Sequence, residues 1–348
     1  MKNTLTFLFI FLSGFLLNIP LKGQEKLKGS IEQIKLYGKS LEGNLAGDTP
    51  ERNVSIYLPP GYHKNVNKFY PVIYFLHGFT DSDSKVFGLE DHWMNMPDVL
   101  DEAFSKRIYK EMILVTPDAL TNFYGSMYSN SVTTGNWEVF IAKELVNYID
   151  ENYRTIPEAS GRGLTGHSMG GYGALRIGQK YPEIFSSIYL LSPCCLAPEN
   201  NPAPPEDLDD IKSFEDIRNA GFFTKIVFAS AAAWSPNPNR PPFYLDLPYE
   251  NGELQPMIIS KWNANRPLVT IDKNIYNVKK LKAISFDAGD EDRGIASSIQ
   301  ALHEIFNSYD LSHDFEIYQG DHLNRIAERI GNNVMMFFDQ HLSSEQLD

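Results

Sequence analysis

A serine held between glycines is the residue of this chain best placed to do chemistry: Ser168, in Gly166-His167-Ser168-Met169-Gly170. A β-like run at 161–165 precedes it, and Gly171-Tyr172-Gly173-Ala174-Leu175-Arg176-Ile177 reads as the start of a helix. G-x-S-x-G between strand and helix is the sharp turn that lifts a nucleophilic serine clear of its backbone. Residues two before and two after the serine must lack bulk, so that strand and helix can approach. The pentapeptide alone is a weak signal, and its flanks carry the argument. Acyl transfer by serine also needs a base for the hydroxyl proton and an acid to orient that base. Two backbone N–H groups must hold the oxyanion.

Eight histidines compete for the role of base. His322 closes Tyr318-Gln319-Gly320-Asp321-His322, directly after a predicted strand at 314–318. That is the C-terminal edge of a parallel sheet, where such sites gather. His313 precedes the same strand and falls at the opposite edge. His303 and His341 sit in predicted helices, and His167, inside the turn, is expected to point away from the cleft. The acid belongs in Asp287-Ala288-Gly289-Asp290-Glu291-Asp292, after a predicted strand at 282–287. Asp287 still belongs to that strand and reads as structural. Asp292 is far enough along the loop to reach a histidine, with Asp290 its rival. A calcium-loop reading of the same run fails, because position 12 counted from Asp287 is Ser298 and not Glu. One oxyanion N–H is expected from Met169, at a helix start. The other is expected from Phe79, in His77-Gly78-Phe79 at the end of the apolar run 70–76, where Gly78 permits the turn.

The elements that must position these groups alternate along the chain. Runs at 31–37 and 53–58 read as antiparallel leading strands. The continuous apolar runs 70–76 and 112–116 read as strands buried on both faces. Residues 137–153 have helical spacing, 186–191 is a further strand, 295–309 a helix, and 323–341 a closing helix. Strand and helix in alternation predict an α/β fold with a mostly parallel central sheet and helices on both faces. From 197 to about 276 the alternation breaks in a stretch rich in Pro and aromatic residues. So many aromatics argue for packing against disorder, so the segment is expected to be a cap-like insertion over the C-terminal edge of the sheet and not a separate domain.

Composition narrows the setting. Lys2, the apolar run 5–17 and the small or polar residues that follow read as a signal peptide over 1–23, leaving 24–348 as a single domain. The apolar run is shorter than the roughly 20 residues a membrane span requires. A secreted or periplasmic protein is expected, with no stable membrane insertion after cleavage. The net charge is −13, and removing 1–23 takes away Lys2 and Lys22 and no acid. Such a chain repels nucleic acid phosphates and favours neutral substrates. The only cysteines, Cys194 and Cys195, are adjacent. A bridge between neighbours is strained, so two buried thiols are expected. No cofactor and no metal cluster is implied.

Six motifs give the chain a family resemblance: LPPGY at 58–62, LHG at 76–78, WEVFIAKEL at 137–145, GHSMGGYGAL at 166–175, DAGDED at 287–292 and GDH at 320–322. Together they resemble the esterase family of α/β-hydrolases that holds feruloyl and acetylxylan esterases (carbohydrate esterase family 1), S-formylglutathione hydrolases and mycobacterial mycolyltransferases. The resemblance runs from about residue 31 to the C-terminus and implies an α/β-hydrolase fold with Asp292 as the acid. It implies a serine esterase acting on small-molecule or polysaccharide-linked esters, with acetyl or hydroxycinnamoyl esters of plant polysaccharide in view. Acyl transfer or thioester hydrolysis by the same residues, and a non-catalytic binding protein on this scaffold, are the alternatives. Turnover of p-nitrophenyl acetate separates the last from the rest. Tyr124, Tyr128, Trp234, Phe243 and Tyr244 are candidate substrate contacts, against the ordinary reading of aromatic residues as packing.

Overall fold

In the computed structural model, residues 27–106, 109–198 and 203–345 are described; the expected signal segment lies outside them. Eight strands form one sheet: β1 Ser30–Tyr37, β2 Glu51–Leu58, β3 Val72–Leu76, β4 Ile113–Pro117, β5 Arg162–His167, β6 Ser187–Leu191, β7 Ala283–Gly289 and β8 Asp314–Tyr318. Their order is β1-β2-β4-β3-β5-β6-β7-β8. β1 pairs antiparallel with β2, and β2 with β4; from β4 to β8 every pairing is parallel.

The uninterrupted apolar runs follow from burial on both faces. Side chains alternate across a strand, so Val72, Tyr74 and Leu76 join one core, while Ile73 and Phe75 join the other. The first core is covered by α2, a continuous helix made of Trp137–Val139, a π-helical Phe140–Leu145 and Val146–Asn152. α3, Met169–Gly178, covers the same face. The second core is covered by α1, Met96–Lys106, and by α9, which runs through Ile326–Arg329, a π-helical Ile330–Val334 and Met335–His341.

Residues 197–276 hold more regular structure than their sequence pattern predicts. They contain α4 Phe214–Asn219, α5 Phe222–Trp234, α6 Pro256–Asn263 and most of α7 Pro267–Val278. Two of the prolines open helices at the first turn, where the missing N–H costs nothing. α5 buries most of its circumference, so it shows no one-sided period. Its Phe228 and Trp234 join the same core as β3 and α3. α8, Arg293–Ser308, then links β7 to β8. Among the described residues no helix is long and apolar enough to cross a membrane.

Register is what gathers the site. Leu76 pairs with Gly166, His167 with Leu191, Leu191 with Asp287, and Gly289 with Tyr318. The C-terminal ends of β3, β5, β6, β7 and β8 therefore lie side by side. The loops they release carry Phe79, Ser168, Cys194, Asp292 and His322.

Candidate active site

Ser168 occupies the turn between β5 and α3 with φ 56° and ψ −114°, a left-handed conformation that costs about 1–3 kcal/mol at a residue with a side chain. The neighbouring glycines make the turn possible. A Cβ on Gly170 would sit 1.8 Å from the Leu76 carbonyl oxygen, and one on Gly166 only 2.5 Å from the Gly170 backbone. Helix α3 thus crosses β3 at backbone contact and leaves Ser168 projecting from the sheet edge.

The Ser168 hydroxyl lies 2.9 Å from His322 Nε2, and His322 Nδ1 lies 2.5 Å from Asp292 Oδ2. Asp290 faces elsewhere: its carboxylate accepts the Gly320 N–H at 3.0 Å, and its own N–H donates to the Tyr318 carbonyl. Gly289 is needed here as well, because a Cβ would meet the Gly320 carbonyl oxygen at 2.1 Å. Asp287 lies inside β7, buried, accepting from the Tyr189 hydroxyl at 2.5 Å and from Arg329 Nε at 2.6 Å. It ties α9 to the sheet. His313 and His303 are paired with each other at 2.8 Å beside Phe286 and Phe315, below the far end of β8.

The Phe79 and Met169 backbone N–H groups have no hydrogen-bond partner among the described residues. Both residues line the cleft beside Ser168. Gly78 does not supply a left-handed turn, as the sequence had implied; Thr80 does, with φ 67°. Space is what Gly78 contributes, since a Cβ there would lie 3.1 Å from Asp81 Oδ2. The loop is braced by His77, buried, which accepts the Ala119 N–H at Nε2 and donates from Nδ1 to the Gly78 carbonyl.

The cleft at Ser168 has a volume of about 310 Å³, and its wall is mainly apolar: Phe79, Met127, Met169, Phe222, Phe223, Ile226 and Ile295. A larger hollow of about 640 Å³, between Ser40 and Pro238, has no histidine in its wall. Cys194 and Cys195 are thiols, half-buried in the cleft wall and not sealed in the core as expected. The Cys194 N–H donates to the Ser168 carbonyl. A hydrogen bond shared with Cys195, together with burial, holds the Cys194 thiol well above its ordinary pKa.

Of the five rings expected at the substrate, none lines this cleft. Tyr128 is fully buried, its hydroxyl on the His77 carbonyl and its ring against Gly173. Trp234 is buried between Tyr172 and Trp262 and donates to Ser129. Phe243 packs on Phe214 and Phe228. The Tyr244 carbonyl accepts from Thr133, and Tyr124 lies under Lys225. Of these rings, Trp234 fastens the insertion to α3 through Tyr172, while Phe243 packs inside the insertion itself. The cleft rings that were missed, Phe222 and Phe223, open α5 with 56% and 74% exposure. An adjacent aromatic pair just after Gly221 was their signal. His167 does not line the cleft, but its Nε2 donates to the His322 carbonyl at 2.9 Å, a contact that no local pattern signalled.

A mostly parallel sheet with a strained serine turn after its fifth strand and a histidine loop after its last defines an α/β-hydrolase. A solved ferulic acid esterase shares the fold with TM-score 0.58 and 20% identity, over 90% of this chain and 97% of that one. The chain belongs to the family described as "Putative esterase", whose model matches residues 49–346. Esterase Rv1288 of Mycobacterium tuberculosis is 34% identical over 139 residues, 38% of this chain and 27% of that protein. An endo-1,4-beta-xylanase/feruloyl esterase of Xylanibacter ruminicola is 28% identical over 214 residues, 56% of this chain and 27% of that protein. The chain thus spans about a quarter of the length of these curated relatives.

Proposed function

We propose that this protein is a serine ester hydrolase in which Ser168 is the nucleophile, His322 the general base and Asp292 its orienting acid. The observation that carries the reading is one continuous line of contact, Ser168 Oγ to His322 Nε2 at 2.9 Å and His322 Nδ1 to Asp292 Oδ2 at 2.5 Å. Asp292 holds the proton on Nδ1, which leaves Nε2 free to accept from the serine hydroxyl. Oγ then attacks the ester carbonyl carbon. The oxyanion is received by the N–H groups of Phe79 and Met169, each contributing about 3 kcal/mol. His322 passes its proton to the departing alkoxide, and water repeats the cycle to release the acid from Ser168.

The apolar cleft wall favours an uncharged acyl group, and a relative that joins a xylanase to a feruloyl esterase supports acetyl or hydroxycinnamoyl esters of plant polysaccharide. The leader-like residues 1–23 agree with action outside the cytoplasm. Ser168→Ala should lower kcat by about 10³-fold or more with the fold intact. Methyl ferulate, acetylated xylan and p-nitrophenyl acetate, assayed with both proteins, would name the acyl group. Labelling by a fluorophosphonate at any serine other than Ser168 would overturn the assignment.

A further inference from the structure

The base sits on an exposed turn. Asp321, Leu323 and Asn324 around His322 are all exposed, and the turn is held locally by the Asp321 carboxylate, which accepts the Leu323 and Asn324 N–H groups. Such a turn does not by itself fix a ring to a fraction of an ångström. Two residues earlier Gly320 is pinned to the loop after β7 by Asp290 and Glu291, but the His322 backbone itself is tied to the sheet by His167, the last residue of β5. Its Nε2 donates to the His322 backbone carbonyl at 2.9 Å, and the His322 backbone has no other hydrogen bond among the described residues. The His167 ring, 3% exposed, is in contact with two others. Trp93 meets it edge-on at 5.7 Å, and the His322 ring lies 4.7 Å away.

We propose that His167 is a positioning residue for the base, setting the height and tilt of the His322 ring over Ser168 through the backbone carbonyl of His322. The inference rests on the reading of His322 as general base. It requires the donor nitrogen to be Nε2, which leaves Nδ1 a bare acceptor, and His167 Nδ1 is buried with no hydrogen-bond partner among the described residues. It also requires the ring to stay in one protonation state while His322 changes its own. Burial, and next the nearness of His322, push the His167 pKa down to about 3. The ring therefore remains neutral and its Nε2–H remains in place throughout turnover. An imidazole in direct contact with the base would otherwise compete for its proton.

The test uses the full chain with His167→Gln and His167→Asn. A Gln amide nitrogen falls where Nε2 was, whereas Asn is one methylene too short to reach the carbonyl. With p-nitrophenyl acetate, the Asn variant should lose about 10- to 100-fold in kcat at nearly constant KM, and the Gln variant should stay within about threefold of the parent, the scale expected when a reacting group is misplaced by about 1 Å. Rates are taken per folded molecule, measured by circular dichroism. Equal kcat in the two variants, a change confined to KM, or a loss that vanishes on normalisation to folded protein would each overturn the proposal. Ser168→Ala run in parallel separates the two levels. If it still turns over ester, the triad reading falls and this inference falls with it. If it is inactive while His167→Asn is not impaired, only the role of His167 is lost.

Discussion

Asp290 and Asp292 stand two residues apart at the same turn, yet the geometry divides their work. Asp292 meets the imidazole, and Asp290 pins the Gly320 N–H that starts the loop carrying it. Asp292→Asn should therefore cost about 10³- to 10⁴-fold in kcat, because an amide no longer favours the tautomer with its proton on Nδ1. Asp290→Asn keeps an oxygen that can accept from Gly320 and should cost less than about tenfold, within the range of one neutral hydrogen bond. Steady-state kinetics on both variants decides the matter, and the reverse ranking would exchange the roles. The sequence limited the acid to three aspartates on one loop. What separates them is the direction each carboxylate takes once β7 and β8 lie in register.

Helix α5 shows how one element serves two purposes. Its C-terminal end buries Trp234 against Tyr172 and Trp262, while its first turn presents Phe222 and Phe223 to the cleft. Trp234→Ala should destabilise the protein by about 3–5 kcal/mol through a cavity that cannot collapse, with ester preference unchanged in the molecules that remain folded. Phe223→Ala, at 74% exposure, should change stability by no more than about 0.5 kcal/mol and shift the ratio of kcat/KM between methyl ferulate and p-nitrophenyl acetate. Thermal melts and the two-ester assay, run on both variants, check this division; a stability loss in Phe223→Ala with an unchanged ester ratio would refute it. The strands and the serine turn were legible because their patterns are local: alternation, apolar runs and glycine spacing. α5 was not. An apolar, Ala-rich helix buried around most of its surface has no face to read, and the prolines on either side of it look the same in a loop as at a helix start.

At the scale of the whole molecule, His167 couples the site to stability. Its ordinary pKa is 6.5, and folding lowers it to about 3. Below about pH 6.5 the unfolded chain therefore takes up a proton that the folded chain refuses. The stability gained by keeping this ring neutral is fully present above pH 6.5 and is lost as the pH falls towards 3. His167→Gln lacks this term, so in denaturant melts it should gain on the parent protein by something on the order of 4 kcal/mol between pH 6.5 and 3. A pH-independent difference would refute the coupling. Asp48 and Asp287, both pushed up to about 6 by burial, act in the opposite direction, but they are common to both proteins and cancel in the difference. The sequence by itself determined the alternation of strands and helices, the serine turn and the chain order Ser168, then an acid, then His322. Each of these follows from local pattern or from the rule that parallel strands release their loops at one edge. Only the tertiary structure decided which aspartate meets His322, which rings line the cleft, and that His167 bonds the His322 carbonyl. Ser168 and His322 are 154 residues apart, and a contact across that distance depends on strand register and side-chain direction, which no local spacing encodes.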